Sequence, residues 1–137
     1  MGSFHREATV AVPIVGHVAA GSPILAEENH EGVLRVDGSL LPAGASVFAL
    51  RVTGSSMIED GIHEGDLLFV KQQPQARRGQ IAVVMVDGDA TVKRFFPEGD
   101  RIRLQPANSL MEPIFVDRRS GDVEVVGVAV GVFRQVG

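Results

Sequence analysis

The chain has 137 residues, a formal net charge of −4 and no cysteine, tryptophan or tyrosine. This length predicts one domain, long enough to bury roughly two-thirds of its unfolded surface, and the missing thiols exclude disulfides and cysteine-based metal sites. The basic residues are scattered, and few aromatic residues are available to stack on bases, so this chain alone is not expected to bind DNA. The longest apolar run, residues 125–133, is too short to cross a bilayer.

The start of the chain, MGSFHREATV, contains no apolar segment of the kind found in secretory signal peptides. Its first three residues are typical of an expression start. We therefore expect residues 1–11 to hold that start and the remnant of a linker, and residues 12–137 to form the domain. We expect the protein to be cytoplasmic, with no membrane contact.

Three consecutive small residues, Ala19, Ala20 and Gly21, lie within an otherwise apolar and extended segment. Such residues bury little area, and glycine weakens a strand. Two explanations are open from the residues alone. The segment contains a tight turn, or its backbone is gripped so closely that larger side chains would interfere.

Valine-rich segments separated by glycine, proline and polar residues indicate a series of β-strands. In chain order they are residues 47–53 (VFALRVT), 66–71 (DLLFVK), 81–86 (IAVVMV), 90–96 (ATVKRFF), 101–106 (RIRLQP) and 122–136, the last as one strand or as two with a bulge at a glycine. Asp87 and Gly88 predict a tight hairpin, and residues 97–100 predict the next turn. One short helix is expected over residues 55–60, because acidic residues follow a serine and Gly61 ends the pattern. The sequence thus predicts a mainly β, compact single domain of antiparallel strands with one short helix.

Ser56 is the first candidate for chemistry, because it lies at the start of the predicted helix. Unpaired backbone N–H groups at such a position can stabilise a developing oxyanion, which would suit a nucleophilic serine. The alternative is structural: Ser55 or Ser56 is simply the helix N-cap.

Lys93 is the second candidate, because it lies in the middle of a predicted strand on the same face as Thr91 and Phe95. A surface lysine of this kind can extend its amine into solvent. In a partly buried position, desolvation would instead lower the pKa of the amine, so that it could accept a proton from a serine hydroxyl.

Four sequence blocks together resemble the LexA family of self-cleaving repressors: GSSMIEDGIHEGDLLFVKQ, DGDATVKRF, QPANSLMEPIFVD and VAVGVFRQ. Their order and spacing fit from about Val12 to Val136. The resemblance implies the fold of the LexA C-terminal domain and a serine–lysine dyad that hydrolyses a peptide bond in its own chain.

The family's site residues correspond to specific positions of this sequence. The resemblance implies Ser56 as nucleophile and Lys93 as general base, with the backbone N–H groups of Ser55 and Ser56 as oxyanion-hole candidates. It places the scissile bond between Ala20 and Gly21, within a substrate segment that includes Val18 and Ala19. It implies no cofactor and no metal.

The resemblance also implies partners. The family's N-terminal winged-helix DNA-binding domain is absent from this sequence, so operator DNA would be bound only through that missing domain. The chain is expected to form a homodimer, with residues 125–133 as the candidate contact; the alternative is that this segment is a core strand. A RecA filament on single-stranded DNA is expected to stimulate the cleavage, which inactivates the repressor in the SOS response to DNA damage.

Three other functions are open. A UmuD-like DNA polymerase accessory protein would use the same dyad. A non-catalytic β dimerisation module would have a solvated Lys93 and a capping Ser56. A Ser–His–Asp hydrolase would need His17 or His63 beside Ser56.

Overall fold

The structure is a computed structural model and describes residues 8–136, nearly half of which lie in nine β-strands. The strands are β1 (Thr9–Val15), β2 (His30–Asp37), β3 (Val47–Arg51), β4 (Leu67–Gln72), β5 (Ile81–Val86), β6 (Asp89–Glu98), β7 (Arg101–Gln105), β8 (Ile114–Asp117) and β9 (Val123–Phe133). They form one sheet in the order β2-β1-β3-β4-β9-β5-β6-β7-β8. Every pairing is antiparallel except a short parallel contact between β1 and β3. The predicted mainly β fold is therefore confirmed.

The predicted hairpin between β5 and β6 is also confirmed. Val86 pairs with Asp89 across a loop of Asp87 and Gly88, whose φ angles are 50° and 86°. Two successive left-handed residues define a type I′ turn, the connection whose twist matches that of the flanking strands. This turn fixes the register of β6 and so decides which of its side chains share a face.

Several strand boundaries differ from the prediction. β6 continues through Pro97 to Glu98, which pairs with Arg101, so the predicted turn over residues 97–100 is shortened. Proline is tolerated there because β5 pairs with β6 only as far as Arg94, and the missing N–H removes no ladder bond. β1, β2 and β8 have no counterpart among the predicted strands. β9 is one strand with two irregularities in its pairing.

The helix predicted over residues 55–60 is wrong in its extent, because only Ile58–Asp60 form a 3-10 helix. Met57 has φ −122° and is 2% exposed, so the chain turns into the core before the helix begins. The N–H of Glu59 then donates to Ala107 O at 2.8 Å, outside any helical pattern. Two further 3-10 helices, Glu27–Asn29 and Gly38–Leu40, were not predicted. Within residues 8–136, no helix has the length and apolar character needed to span a membrane.

The sheet begins before the predicted start of the domain at Val12. β1 starts at Thr9, and Thr9, Val10 and Ala11 all pair with residues of β2. The predicted division into residues 1–11 and a domain of residues 12–137 stays a prediction. The predicted expression start, residues 1–3, lies outside the described residues.

The core lies on both faces of β5, where Ala82, Val83 and Val84 are fully buried. Val83 belongs to a cluster with Phe48, Leu68 and other residues of β3 and β4, whereas Ala82 and Val84 pack with Phe95, Ile102 and Leu104. Burial on both faces explains why the β5 sequence is continuously apolar rather than alternating. The strand next to it, β6, is thereby held at a fixed position in the sheet.

β9 lies between β4 and β5, and Val128 within it is buried. This supports the alternative of a core strand only around Gly127 and Val128, the two buried residues of this segment. The end of β9 nevertheless has three large apolar side chains that are exposed, Val130, Val132 and Phe133. The dimer contact predicted for this segment stays a prediction, with those side chains as its accessible part.

Candidate functional site

Ser56 and Lys93 meet at one place on the sheet, although 37 positions separate them in sequence. Ser56 lies in the turn between β3 and the 3-10 helix, and Lys93 lies in the first half of β6. Lys93 Nζ is 3.2 Å from Ser56 Oγ, within hydrogen-bonding distance. Proton transfer between the two groups therefore needs no large movement.

Lys93 is buried, with 8% of its surface exposed. Desolvation by burial lowers the pKa of its amine, because the charged form loses its contact with water. The alternative of a solvated surface lysine is therefore wrong. The amine also donates to Thr91 Oγ1 at 2.7 Å. Thr91 precedes Lys93 by two residues on the same face of β6, so the strand itself supplies this partner.

The backbone at Ser55 and Ser56 is available for binding. Neither N–H group donates a hydrogen bond to any of the residues from 8 to 136, and neither side chain caps the helix. The alternative of a serine N-cap is therefore not observed. Asn108 Nδ2 donates to Ser55 O at 2.9 Å, and the N–H of Ile58 donates to the same oxygen at 3.3 Å. Since a peptide group is planar, holding Ser55 O also fixes the direction of the Ser56 N–H.

An ion pair ties the turn of Ser56 to the strand of Lys93. Arg94 Nε and Nη2 lie 3.0 and 3.2 Å from the two carboxylate oxygens of Asp60, at the end of the 3-10 helix. Arg94 is the next residue after Lys93, so this two-point contact fixes one element against the other. Bidentate contacts of this kind restrict geometry more than a single bond does.

The segment with the three small residues forms a tight turn. The N–H of Ser22 donates to Ala19 O at 3.1 Å, and Gly21 has φ 79°. A positive φ at the third of four residues defines a type II turn, which requires glycine at that position. The first explanation for the small residues is therefore confirmed, and the turn places Ala20 and Gly21 at its tip.

This turn contacts the loop of the β5–β6 hairpin. The N–H of Gly21 donates to Gly88 O at 3.4 Å, and Val18 packs against the cluster that includes Ala90, Val92 and Met57. No hydrogen bond joins Ala20 or Gly21 to Ser56 or Lys93 within the described part of the chain. The expected substrate segment thus lies at the hairpin that precedes the strand of the candidate base, without a hydrogen bond to the dyad.

A cleft of about 970 Å³ adjoins the segment. Gly21 and Leu25 line it together with Met85, Asp87 and Glu124, whereas Ser56 and Lys93 do not. The cleft is therefore not the place where the candidate nucleophile would act.

Other kinds of site receive no support. No histidine ring hydrogen-bonds to Ser56 within the described residues: neither His17 nor His63 forms a hydrogen bond through its ring, and the ring of His30 bonds to Leu25 O. The Ser–His–Asp alternative therefore lacks its base. Across residues 8–136, no group of three or more histidine, aspartate or glutamate side chains could hold a metal ion.

Sequence reasoning missed three residues of this region: Thr91, Asn108 and Asn29. Thr91 was noted only as a neighbour on the same face. Asn29 is 3% exposed, and its side chain makes all of its hydrogen bonds to residues 19–24, the loop that contains the turn. An asparagine in a segment where no strand or helix was predicted gives no sequence signal of such a role.

Comparison with known proteins identifies the family. The Peptidase S24-like family model matches residues 13–130. A LexA repressor of Myxococcus xanthus (strain DK1622) is 50% identical over 139 residues, covering 99% of this chain and 63% of that protein. A LexA repressor of Anaeromyxobacter sp. (strain Fw109-5) is 51% identical, covering 93% of this chain and 56% of that protein. A LexA repressor of Desulfitobacterium hafniense (strain DSM 10664 / DCB-2) is 50% identical, covering 95% of this chain and 61% of that protein. The chain thus spans about three-fifths of the length of the curated relatives it matches. It therefore belongs to the Peptidase S24-like family, and its resemblance to the C-terminal domain of LexA repressors is confirmed.

Proposed function

We propose that this chain hydrolyses its own Ala20–Gly21 peptide bond, with Ser56 as nucleophile and Lys93 as general base. The observation that carries the proposal is the contact between the two side chains, 3.2 Å long and formed by a lysine that is 8% exposed. A buried amine has a lowered pKa, and a lowered pKa is what a lysine needs to act as a base near neutral pH.

The reaction begins with neutral Lys93 taking the proton of Ser56 Oγ, which attacks the Ala20 carbonyl carbon. As the tetrahedral intermediate breaks down, the Lys93 ammonium returns the proton to the Gly21 nitrogen, which leaves as a free amine. Water then attacks the ester between Ser56 and Ala20, giving an Ala20 carboxylate and restoring the hydroxyl. Thr91 accepts one N–H of the lysine, which leaves the nitrogen lone pair free to face Ser56.

The oxyanion of the intermediate needs donors that are already in place. The N–H groups of Ser55 and Ser56 have no other partner within residues 8–136, and they flank the nucleophile. Fixed donors of this kind stabilise the charge that develops on the carbonyl oxygen in the transition state. We assign them as the oxyanion hole.

The biological role that fits this reaction is inactivation of a LexA-type repressor. The relatives are named LexA repressors, which supports this role over a UmuD-like accessory protein. The chain would be the self-cleaving and dimerising part of the cytoplasmic repressor, over residues 12–137, with operator binding in a separate N-terminal domain. A RecA filament on single-stranded DNA would favour the cleavable arrangement, which it can do only by binding that arrangement more tightly than the other.

Mass spectrometry of the purified chain tests the proposal. On incubation from pH 7 to pH 10, we expect fragments that end at Ala20 and begin at Gly21, formed faster as the pH rises and at a first-order rate independent of protein concentration. Ser56→Ala and Lys93→Ala should each stop the reaction, because nucleophile and base act as a unit.

Two matched controls are available in the chain. Ser55→Ala removes the adjacent hydroxyl but keeps the backbone N–H, and Lys71→Ala removes the only other lysine. Both variants should still cut at the same bond. Fragments from another bond, or a rate that grows with protein concentration, would contradict an intramolecular dyad.

A further inference from the structure

Asn29 is a buried polar residue whose side chain is fully occupied by the loop that contains the tight turn. Its Oδ1 accepts the N–H of Ala19 at 2.9 Å. Its Nδ2 is shared among Ser22 Oγ at 3.1 Å, Pro23 O at 3.0 Å and Ile24 O at 3.2 Å. These bonds join residues before and after the Ala20–Gly21 peptide group. One side chain therefore cross-links the two ends of the loop.

The backbone of Asn29 is itself anchored to the sheet. Asn29 O accepts the N–H of Gly16 at 2.9 Å, and the next residue, His30, pairs with Val15 in the ladder between β1 and β2. Asn29 therefore connects the turn to a rigid element. Without its side chain, residues 19–24 would keep the bonds that Ser22 makes to Ala19 O and the contact of Gly21 with Gly88, but they would lose the hydrogen bonds that join Ala19, Pro23 and Ile24 to Asn29.

We propose that Asn29 is a positioning residue for the substrate segment. It holds the turn in one shape and ties it to the sheet, so that the scissile peptide group is already formed into a turn when it reaches Ser56. The proposal rests on the self-cleavage proposed above. Hydrolysis depends steeply on the placement of the reacting atoms, and a loop tied to the sheet is placed more narrowly than one held only by its own turn.

The residue type is specific to this role. An asparagine offers a donor and an acceptor on one short side chain, and the loop presents one N–H and three oxygens to it. An aspartate would keep the acceptor for Ala19 but would turn a carboxylate oxygen toward the oxygens of Pro23 and Ile24. Asn29→Asp keeps the shape of the side chain but changes its hydrogen bonding. It therefore distinguishes the effect of the hydrogen bonds from the effect of the side chain's volume.

The test measures two reactions of the same serine in Asn29→Ala and Asn29→Asp. The first is self-cleavage, followed by mass spectrometry from pH 7 to pH 10. The second is labelling of Ser56 by diisopropyl fluorophosphate, in which Oγ displaces fluoride and which does not use the turn. We expect both variants to cut about tenfold more slowly or worse, since buried hydrogen-bonding groups lose their partners, while labelling and the midpoint of the pH profile stay as in the wild type. Glu27→Ala, an exposed change in the same loop, should leave both reactions unchanged.

Each other outcome overturns the proposal. Unchanged cleavage in Asn29→Ala means that the turn does not depend on Asn29, and faster cleavage means that Asn29 holds the segment in a resting arrangement. A parallel loss of labelling means that the substitution damages the dyad or the fold, which circular dichroism would register separately. If the wild type itself fails to cut, the proposed function fails, and that result is distinct from any difference between wild type and variant.

Discussion

Replacing Lys93 with methionine tests whether this amine is desolvated in the folded chain. Methionine has a similar length and no charge, so it fills the same space without the group that burial penalises. Burial lowers the pKa of Lys93 in the folded state relative to the unfolded state, so the folded chain binds fewer protons than the unfolded chain. Both proteins are best compared in a Ser56→Ala background, where neither can cut itself.

The sign and size of the effect follow from proton linkage. Above pH 10.5, the ordinary lysine pKa, the amine is neutral in both states and contributes no difference. As the pH falls below that value the unfolded state takes up a proton first, so the free energy of unfolding decreases by up to about 1.4 kcal/mol per pH unit, until the folded pKa is reached. Lys93→Met removes this penalty. The variant should be more stable than the lysine protein at neutral pH, and its advantage should shrink as the pH approaches 10.5.

The composition of the chain makes this measurement clean. The chain has no cysteine or tyrosine and only two lysines, so few other groups titrate between pH 8 and pH 10.5. Urea unfolding followed by far-ultraviolet circular dichroism suits a protein without tryptophan. Lys71→Met is the control and should keep the alkaline rise in stability, because Lys93 is still present. Equal pH dependence in Lys93→Met and in the protein that retains Lys93 would refute a desolvated amine.

Three further substitutions have defined outcomes. Asn108→Ala should slow self-cleavage about tenfold without moving the midpoint of its pH profile. Ser55 O loses the hydrogen bond from Asn108, so the Ser56 N–H, proposed as an oxyanion donor, is held less firmly. Single-turnover rates measured across pH check this. Arg134→Gln should lower the melting temperature at neutral pH, because the hydrogen bonds of Arg134 hold the pKa of Asp66 below its usual range. That contribution is present above the unfolded pKa and is lost as the pH falls through the folded one, so the difference in scanning calorimetry should disappear in acid. Gly127→Ala should destabilise the chain by about 3 kcal/mol in urea titrations, because a Cβ there would overlap a backbone carbonyl of β4.

The sequence predicted best the strands whose signals are local. β5 has the predicted bounds because its apolar run is closed by Asp87 and Gly88, a pair that specifies a hairpin without help from the rest of the fold. β1 and β2 were missed because their pairing depends on each other across the intervening loop. β2 also contains Gly32 and lies at an edge of the sheet, where exposed side chains do not follow a clear alternation.

The residues of the candidate site likewise fall into those that local sequence signals predict and those that they do not. Ser56 and Lys93 can be nominated from their places in local patterns and from the resemblance to the LexA family. Their partners cannot be found in this way, because Asn108 reaches Ser55 across 53 positions, and three of the four groups that Asn29 binds are backbone groups, which any residue type supplies. A hydrogen bond to the backbone leaves no trace in the composition of the segment that receives it.

The candidate site lies where the ladder between β6 and β7 is incomplete. β6 pairs with β7 only from Arg94 to Glu98, so the half of β6 that carries Thr91 and Lys93 is hydrogen-bonded to β5 alone. An unpaired strand edge is a template for another extended segment, and the turn at Gly21 approaches the start of this edge through Gly88. A complete β6–β7 ladder would close that approach, and a shorter β6 would not carry the lysine. The length difference between the two strands therefore leaves the candidate base, Lys93, on a strand whose backbone edge is open to another extended segment.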